Sequence, residues 1–156
     1  MSKLDILFSH KTDDWSTPTW LYDTFIKLGF IDPCPLHCEV DNLNNIYFNK
    51  FIYVNPPYSA IDQWVSFINN NYKNNHIALL IPSRTDTRYF HLLMRLHPRI
   101  IFIKGRLRFG DSNCAPFPSL LMLFNKYEFN DYLCLTQDML SKYLEVLYAK
   151  SNNTNG

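Results

Sequence analysis

Short apolar runs constrain the fold of this chain more than any other feature of its sequence. Each run is four or five residues long and holds almost no polar residue. A strand that is buried on both faces has this continuous apolar character, whereas a strand with one solvent face alternates apolar and polar residues. We therefore predict four buried strands, at residues 51–54, 77–81, 100–103 and 120–124.

Amphipathic helical patterns separate these runs. Ile61, Trp64, Val65 and Ile68 follow the i, i+3, i+4, i+7 spacing of one helix face. Similar stripes occur before, between and after the strands, at Leu21, Phe25 and Leu28, at Phe90, Leu93 and Met94, and at Leu140, Leu144 and Leu147. Strand–helix alternation predicts an α/β fold with a mostly parallel central sheet flanked by helices. Such sheets bind ligands in the crevice beyond the carboxyl ends of their strands.

The length of the chain favours one domain. With 156 residues, 47% of them hydrophobic, the chain can bury one substantial core. We predict a domain over residues 1–150 and a flexible polar tail over residues 151–156. No run approaches the ~20 apolar residues of a membrane helix, and the first residues do not resemble a secretion signal. We therefore expect a soluble cytoplasmic protein that does not interact with membranes.

The four cysteines raise the question of a metal. Without an export signal, Cys34, Cys38, Cys114 and Cys134 are expected to be reduced thiols. Cys34, His37 and Cys38 are close enough in sequence to suggest zinc, but no second ligand pair follows at finger-like spacing. We predict no metal site.

The motif that carries chemistry is Asn55-Pro56-Pro57-Tyr58, directly after the first predicted strand. This position places it where a strand opens into the crevice. The tandem prolines stiffen the backbone and leave carbonyl groups that can face a ligand. Asn55 adds a side-chain acceptor, and Tyr58 adds an aromatic ring on which a planar base can stack. An ordinary turn that closes a strand is the structural alternative.

These groups suit methyl transfer to an aromatic amine, whose nitrogen lone pair is delocalised into its ring. The Asn55 side-chain oxygen and the Pro56 carbonyl can each accept one N–H, which frees the lone pair for attack on a methyl group. Positioning and preorganised dipoles then supply most of the catalysis. Stacking on Tyr58 would contribute about 1–3 kcal/mol towards holding a base outside the duplex.

Charge is distributed unevenly along the chain, although the net charge is only +1. Residues 1–62 hold 4 basic and 8 acidic residues, whereas residues 84–108 hold 7 basic residues and one acid, Asp86. A local field of this sign attracts phosphate. We predict that DNA is contacted by Arg84 in the loop after the second strand, and by Lys104, Arg106 and Arg108 along one face of an extended segment.

Structural alternatives remain for this basic region. The alternating cations could instead prevent an exposed edge strand from pairing with another chain. For Ser83, Thr85 and Asp86, capping of the helix that contains Phe90 is the favoured interpretation. Pro116-Phe117-Pro118 forms either a wall of the site or a rigid turn into the last strand.

An ordered series of motifs over most of the chain resembles the small phage-type DNA N-6-adenine methyltransferases (Dam family). The series begins with Asp14-Trp15-Ser16-Thr17-Pro18, Ile31-Asp32-Pro33-Cys34-Pro35 and Asp41-Asn42-Leu43. It continues through Tyr53-Val54-Asn55-Pro56-Pro57-Tyr58-Ser59 and residues 81–87 to residues 102–109 and 115–119. The order of these motifs is more specific than the catalytic tetrapeptide alone.

The resemblance implies a Rossmann-like methyltransferase fold, S-adenosylmethionine as donor, and an adenine of DNA, flipped out of the duplex, as acceptor. It implies catalysis by Asn55, Pro56, Pro57 and Tyr58. It also implies that Asn55 lies between cofactor and base, and that the cofactor is bound by Trp15, Thr17, Pro18, Asp32, Pro33 and Asn55. A turn or cap role for Asp32 is an equal alternative. No glycine-rich loop is present, since stiff Pro33-Cys34-Pro35 stands in its place.

Other functions remain open at this point. The same tetrapeptide suits RNA adenine or protein glutamine as acceptor, because each presents a planar amine or amide nitrogen. A catalytically silent DNA-binding module with the same fold is a further alternative. The sequence does not distinguish a monomer from a homodimer. If the chain is phage-encoded, the host cytoplasm is its expected location.

Overall fold

The computed structural model describes residues 15–35, 40–108, 114–125 and 131–152 of the chain. The four predicted amphipathic stripes all lie on α-helices of this part. These helices are α1 (Thr19–Lys27), α2 (Ile61–Asn71), α3 (Arg88–Met94) and α4 (Gln137–Asn152). Leu28, the last residue of the first stripe, follows α1 directly as its C-cap. The helix predictions are therefore confirmed.

The four predicted strands are also present, extended by one residue at some ends. They are β1 (Phe51–Val54), β2 (His76–Pro82), β3 (Arg99–Lys104) and β4 (Ser119–Phe124). A fifth strand, β5 (Tyr132–Thr136), was not predicted. None of its residues is fully buried, because it pairs only with β3 at the edge of the sheet. It therefore lacks the apolar run that identified the other four.

The prediction of a mostly parallel sheet is wrong, because the sheet is mixed. Its order is β1-β2-β4-β3-β5, with β4 antiparallel to both of its neighbours and the two outer pairs parallel. All six residues of β4 are buried. The continuous apolar character of β4 thus indicated that both of its faces are buried. It did not indicate whether the strand runs parallel or antiparallel to its neighbours. The described residues between β3 and β4 contain no helix, which a parallel crossover normally needs.

Helices cover both faces of the sheet and form two apolar clusters. One cluster packs α1 and α4 against the sheet, through Leu21, Phe25, Leu140 and Leu144. The other packs α2 and α3 against the opposite face, through Trp64, Ile68, Phe90 and Leu93. Side chains alternate along each strand, so Tyr53 faces the first cluster while Ile52 and Val54 face the second.

The strand directions bring the predicted site residues to one edge of the sheet. Because β1, β2, β3 and β5 run the same way, their carboxyl ends share one edge, and antiparallel β4 begins there. We call this the carboxyl edge, and the opposite one the amino edge. Ile31 pairs in parallel with Ile52, so the chain at Asp32 runs in the same direction as β1 and reaches the carboxyl edge beside it. No helix of the described residues is both long and apolar enough to cross a membrane.

Candidate active site

The tetrapeptide leaves β1 at the carboxyl edge, as predicted. Pro56 is buried, and Asn55, Pro57 and Tyr58 are partly buried. A short 3₁₀-helix, Tyr58–Ala60, begins the turn into α2, and its first bond joins the Ala60 N–H to the Pro57 carbonyl. Proline at residues 56 and 57 suits this segment because neither position needs a ladder hydrogen bond.

The Asn55 amide is fixed by the segment that precedes α1. Its Nδ2 donates to the Trp15 carbonyl at 2.6 Å and to Thr17 Oγ1 at 3.2 Å. A backbone carbonyl can only accept, so the nitrogen must face Trp15 and the oxygen must face away. Asn55 Oδ1 is buried and has no hydrogen-bond partner in the described part of the chain. An unmet buried acceptor costs about 1–3 kcal/mol, which makes this oxygen a candidate ligand contact.

Thr17 is in turn held by Tyr53, a residue that the sequence did not single out for the site. Thr17 Oγ1 and the Tyr53 hydroxyl share a hydrogen bond of 2.6 Å. Burial raises the pKa of Tyr53 well above its usual value, the bond to Thr17 opposes this, and the nearby Asp32 charge raises it further. Tyr53 is therefore a neutral hydroxyl at any physiological pH.

Three aromatic rings meet beside Asn55. Phe117 makes edge-to-face contacts with Trp15 and with Tyr58, at centroid distances of 5.3 and 5.5 Å. Phe117 reaches this position because it precedes β4, whose first residue lies at the carboxyl edge. The two interpretations of Pro116-Phe117-Pro118 are thus compatible, since a turn into β4 also places Phe117 against the predicted site aromatics.

Asp32 occupies a turn beside the same edge. Its Oδ1 accepts the Cys34 N–H at 2.8 Å, which is the turn role considered from the sequence. Burial raises the pKa of Asp32 to about 6, although the Cys34 hydrogen bond acts in the opposite direction. Pro33 is buried, and its carbonyl accepts from the Asn42 side chain at 3.0 Å. A desolvated carboxylate of this kind gains most from a cationic ligand.

The sequence of the chain matches a known protein family. The sequence model for DNA N-6-adenine-methyltransferase (Dam) matches residues 36–130, which is well over half of the chain. The chain belongs to the Dam family. A search among curated proteins gives no match. The family match includes residues 55–58 and the four predicted DNA contacts, whereas Trp15, Thr17, Pro18, Asp32 and Pro33 precede it.

The basic residues of this Dam-family chain are divided between the two edges. Arg84 follows β2 and is exposed. Lys104, the last residue of β3, is also exposed, as are Arg106 and Arg108 just after the strand. Arg99, in contrast, begins β3 at the amino edge. It forms a two-pronged ion pair with Asp131, at 2.7 and 2.6 Å, and donates to the Tyr143 hydroxyl.

The extended segment that was predicted to carry three cations on one face is only partly regular. Strand β3 ends at Lys104, and the chain bends at Gly105, where φ is +84°. Leu107 is fully buried, while Arg108 forms an isolated bridge with Cys114. A continuous strand alternation is therefore wrong, because the left-handed glycine interrupts it. The three cations nevertheless all remain exposed, Lys104 at the end of β3 and the other two just after it.

The capping interpretation of Ser83, Thr85 and Asp86 is wrong. Helix α3 begins at Arg88 with Thr87 as its N-cap residue, and the Thr87 side chain makes no capping bond. Thr87 Oγ1 donates instead to the Arg84 carbonyl at 2.7 Å. This bond closes the loop on itself and keeps the Arg84 backbone next to the carboxyl edge.

The cysteines bear on the metal question only in part. Cys34 is buried, and Cys114 and Cys134 are exposed free thiols. His37 and Cys38, the other members of the zinc hypothesis, lie outside the described residues. Among the residues that the structure describes, no group of three potential metal ligands occurs.

Proposed function

We propose that this Dam-family chain transfers a methyl group from S-adenosylmethionine to the N6 amino group of an adenine in DNA. The observation that carries the proposal is the Asn55 side-chain oxygen. It is buried without a hydrogen-bond partner in the described residues, while both hydrogens of the same amide are engaged by Trp15 and Thr17. The adenine amino group would supply the N–H donor that this oxygen lacks.

The residues of the chain activate the acceptor nitrogen by hydrogen bonding. Asn55 Oδ1 and the Pro56 carbonyl each accept one N–H of the amino group, which draws the nitrogen towards tetrahedral geometry and localises its lone pair. S-adenosylmethionine supplies an electrophilic methyl group on a positively charged sulfur. Transfer would join that methyl group to the nitrogen lone pair in place of its bond to sulfur, and one of the nitrogen-bound protons would leave to solvent. No strong base is needed, because only the methylated amine is acidic.

Aromatic contacts support a planar base as the acceptor. Tyr58 follows the two acceptor residues directly, and its ring meets Phe117 edge to face. Stacking of a flipped base on Tyr58 would recover about 1–3 kcal/mol of the cost of removing it from the duplex. This pair of rings favours a nucleobase over protein glutamine, whose side chain has no aromatic face.

The predicted cofactor residues fit a ligand that carries an amino group. The Asp32 carboxylate is partly buried, and its raised pKa reflects lost solvation rather than a bound partner. A cationic amino group at this position would restore the lost stabilisation. We propose that Trp15, Thr17, Pro18 and Pro33 line the same site, and that Asn55 lies between the cofactor and the base.

We propose a Rossmann-like methyltransferase domain over residues 1–150 for the fold, with DNA phosphates contacted by the exposed cations beyond the carboxyl edge. The cations are Arg84, Lys104, Arg106 and Arg108. The positions of Asp32 and Asn55 after neighbouring parallel segments support this, because ligands of α/β sheets bind at that edge. We place the reaction in the cytoplasm, which would be that of the host for a phage-encoded chain.

The test combines product analysis with one substitution. The wild-type protein is incubated with radiolabelled S-adenosylmethionine and unmethylated DNA, and the hydrolysed nucleosides are analysed for N6-methyladenine. Parallel treatment with DNase or RNase, and incubation with protein substrates, identify any other acceptor. Asn55→Ala should lower kcat by roughly 10²–10³-fold, the usual effect of losing one preorganised polar contact to the reacting group. Cofactor affinity, measured by calorimetry, should change by less than about threefold, since Asn55 is one of several contacts.

A matched control is available at the amino edge. Asn125 follows β4 and also has a buried side-chain oxygen without a hydrogen-bond partner in the described residues. Asn125→Ala removes an equivalent group far from the crevice and should leave kcat unchanged. Full activity of Asn55→Ala would contradict the mechanism, and label found only in RNA or protein would contradict the substrate.

A further inference from the structure

Tyr53 lies on β1 and Asn55 follows the strand directly, and the side chains of both reach Thr17. Tyr53 is 1% exposed and belongs to the apolar cluster under α1 and α4. Its ring stacks on Phe25 at 4.3 Å with an angle of 21° between the planes, and meets Tyr22 edge to face at 6.5 Å. Core packing on two sides therefore fixes where the Tyr53 hydroxyl can be.

A short chain of hydrogen bonds connects this fixed hydroxyl to the Asn55 amide. The Tyr53 hydroxyl and Thr17 Oγ1 are 2.6 Å apart, and Thr17 Oγ1 accepts from Asn55 Nδ2 at 3.2 Å. The second hydrogen of Nδ2 goes to the Trp15 carbonyl. Both hydrogens of the amide are thus held, one of them by a hydroxyl whose own position depends on Tyr53.

The orientation of this amide decides what a substrate amine would meet. In the observed orientation the amine meets the Asn55 oxygen, an acceptor. After a half-turn about the last side-chain torsion it would meet an NH2 group, and two donors would face each other. Thr17 lies outside any helix, so without the Tyr53 hydroxyl its side chain can adopt another rotamer, which would leave the amide held by the Trp15 carbonyl alone.

We propose that Tyr53 is a positioning residue, which acts through Thr17 to hold the Asn55 amide with its oxygen towards the substrate amine. This inference rests on the proposed function for its kinetic consequence, but the geometry of the amide is independent of the substrate. The same contacts link the segment predicted to bind the cofactor to the residue predicted to bind the base. Cofactor contacts at residues 15–18 would therefore favour the binding-competent form of Asn55, and base binding would favour cofactor binding by the same factor.

The kinetic test uses variants that remove one oxygen atom at a time. Tyr53→Phe keeps the ring on Phe25 and removes the hydroxyl. It should lower kcat by roughly 5–20-fold, a fraction of the ~100-fold that a 1 Å misplacement can cost. The Kd for S-adenosylmethionine and the KM for DNA should change by less than about threefold, because no direct ligand contact is removed. Thr17→Val, which keeps the size of the side chain and removes its hydroxyl, should lower kcat at least as far as Tyr53→Phe does.

A double-mutant cycle separates positioning from general destabilisation. If Tyr53 acts only through Thr17, the variant that combines Tyr53→Phe and Thr17→Val should lose no more kcat than Thr17→Val alone. Two independent structural effects would multiply instead. Tyr148→Phe is the matched control, since Tyr148 is a buried tyrosine of the same cluster that packs on Phe51 and His76, the first residues of β1 and β2 at the amino edge. It should leave kcat unchanged.

A readout that does not depend on turnover keeps this inference distinct from the proposed function. The side-chain NH2 signal of Asn55, assigned by its loss in Asn55→Ala, is followed by NMR hydrogen exchange. Exchange should be several-fold faster in Tyr53→Phe and unchanged in Tyr148→Phe. Unchanged exchange and unchanged kcat in Tyr53→Phe would overturn the positioning role. A wild-type protein that does not methylate DNA adenine would overturn the proposed function alone, because the exchange experiment would still decide the role of Tyr53.

Discussion

Asp32 illustrates a conflict between stability and ligand binding at the scale of one residue. Its carboxylate has lost part of its solvation, and the only hydrogen bond found for it in the described structure comes from the Cys34 backbone. Its pKa is about 6 in the folded protein against an ordinary value of 3.8. Folding therefore shifts the carboxyl group towards its protonated form, whereas a cationic ligand would favour the ionised form.

We expect Asp32→Asn to stabilise the ligand-free protein at neutral pH and to weaken cofactor binding. Because folding raises the pKa of Asp32, this residue favours the folded protein most below about pH 4. The free energy of unfolding then falls as the pH rises towards about 6. Asn keeps an acceptor for the Cys34 N–H but carries no charge. The gain at pH 7 should be about 1–2 kcal/mol, discounted because the carboxylate is partly exposed. Denaturant unfolding at pH 4 and pH 7 measures it, and the two proteins should differ little at pH 4.

Two further measurements complete this prediction. Calorimetry should show a Kd for S-adenosylmethionine raised at least about tenfold in Asp32→Asn, and a wild-type affinity that declines below about pH 6. Asp131→Asn is the control of opposite sign, because the hydrogen bond from Arg99 lowers the pKa of Asp131 and its loss should destabilise the protein at pH 7. If Asp32→Asn were the less stable protein at pH 7, the carboxylate would already have a stabilising partner.

At the scale of elements, two buried asparagines join the connection before β1 to the turn between α2 and β2. Asn71 accepts from the Tyr47 N–H at 2.7 Å and donates to the Asn45 carbonyl at 3.1 Å. Asn75 accepts from the Lys50 N–H and donates to the Tyr47 carbonyl. Each amide thus satisfies both a donor and an acceptor of an irregular backbone segment, which a hydrophobic residue could not do.

Asn71→Ala should lower the free energy of unfolding by about 2–4 kcal/mol, since it leaves a backbone donor and an acceptor unpaired near the core. Asn70→Ala, at an exposed position one residue earlier on α2, should change it by less than about 0.5 kcal/mol. Urea unfolding of the two variants provides the comparison. The network lies at the amino edge, so the kcat of folded Asn71→Ala should equal that of wild type at low temperature. Equal stability of the two variants would show that the Asn71 bonds contribute nothing.

The elements differ in how far the sequence could predict them. Helices α1 to α4 and strands β1 to β4 were predictable because periodicity records which faces are buried. Edge strand β5 was not, since its residues are only half-covered. The direction of β4 was not predictable either, because an all-apolar strand has no feature that distinguishes parallel from antiparallel neighbours.

The same distinction applies to the site. The position of Asn55 at the carboxyl edge followed from its place after a predicted strand, whereas Asp32 reaches that edge through the isolated bridge between Ile31 and Ile52. The Tyr53–Thr17 bond joins residues 36 positions apart, and the Phe117 contacts depend on the direction of β4. Local patterns cannot report such contacts, since they arise only from packing of the complete sheet. The functional roles themselves stay predictions that the experiments above address.

At the scale of the whole molecule, the small net charge of +1 conceals a group of exposed cations at the carboxyl edge. Arg99 at the amino edge is neutralised by Asp131. Arg84, Lys104, Arg106 and Arg108 are exposed around the carboxyl edge, and no ion pair is found for them in the described residues. A field concentrated at one edge can attract a polyanion even though the molecule as a whole is nearly neutral.

Replacing one of these four cations with Gln should weaken DNA binding and reduce the slope of log K against log salt by about 0.9. The loss should be similar for different DNA sequences, because a phosphate contact reads no base. Lys73→Gln is the control, as this exposed lysine precedes β2 at the amino edge. Fluorescence anisotropy at several salt concentrations measures the slopes. Equal slopes for Arg106→Gln, Lys73→Gln and wild type would exclude Arg106 as a phosphate contact.

The reversed direction of β4 has a practical consequence for altering this protein. Residues 115–118 lead into the sheet, and the Phe117 ring in this stretch touches Trp15 and Tyr58. A randomised library confined to that stretch would reshape one wall beside the reactive amide and leave the amide and its hydrogen bonds untouched. Laboratory selection for acceptors of another size could therefore begin there.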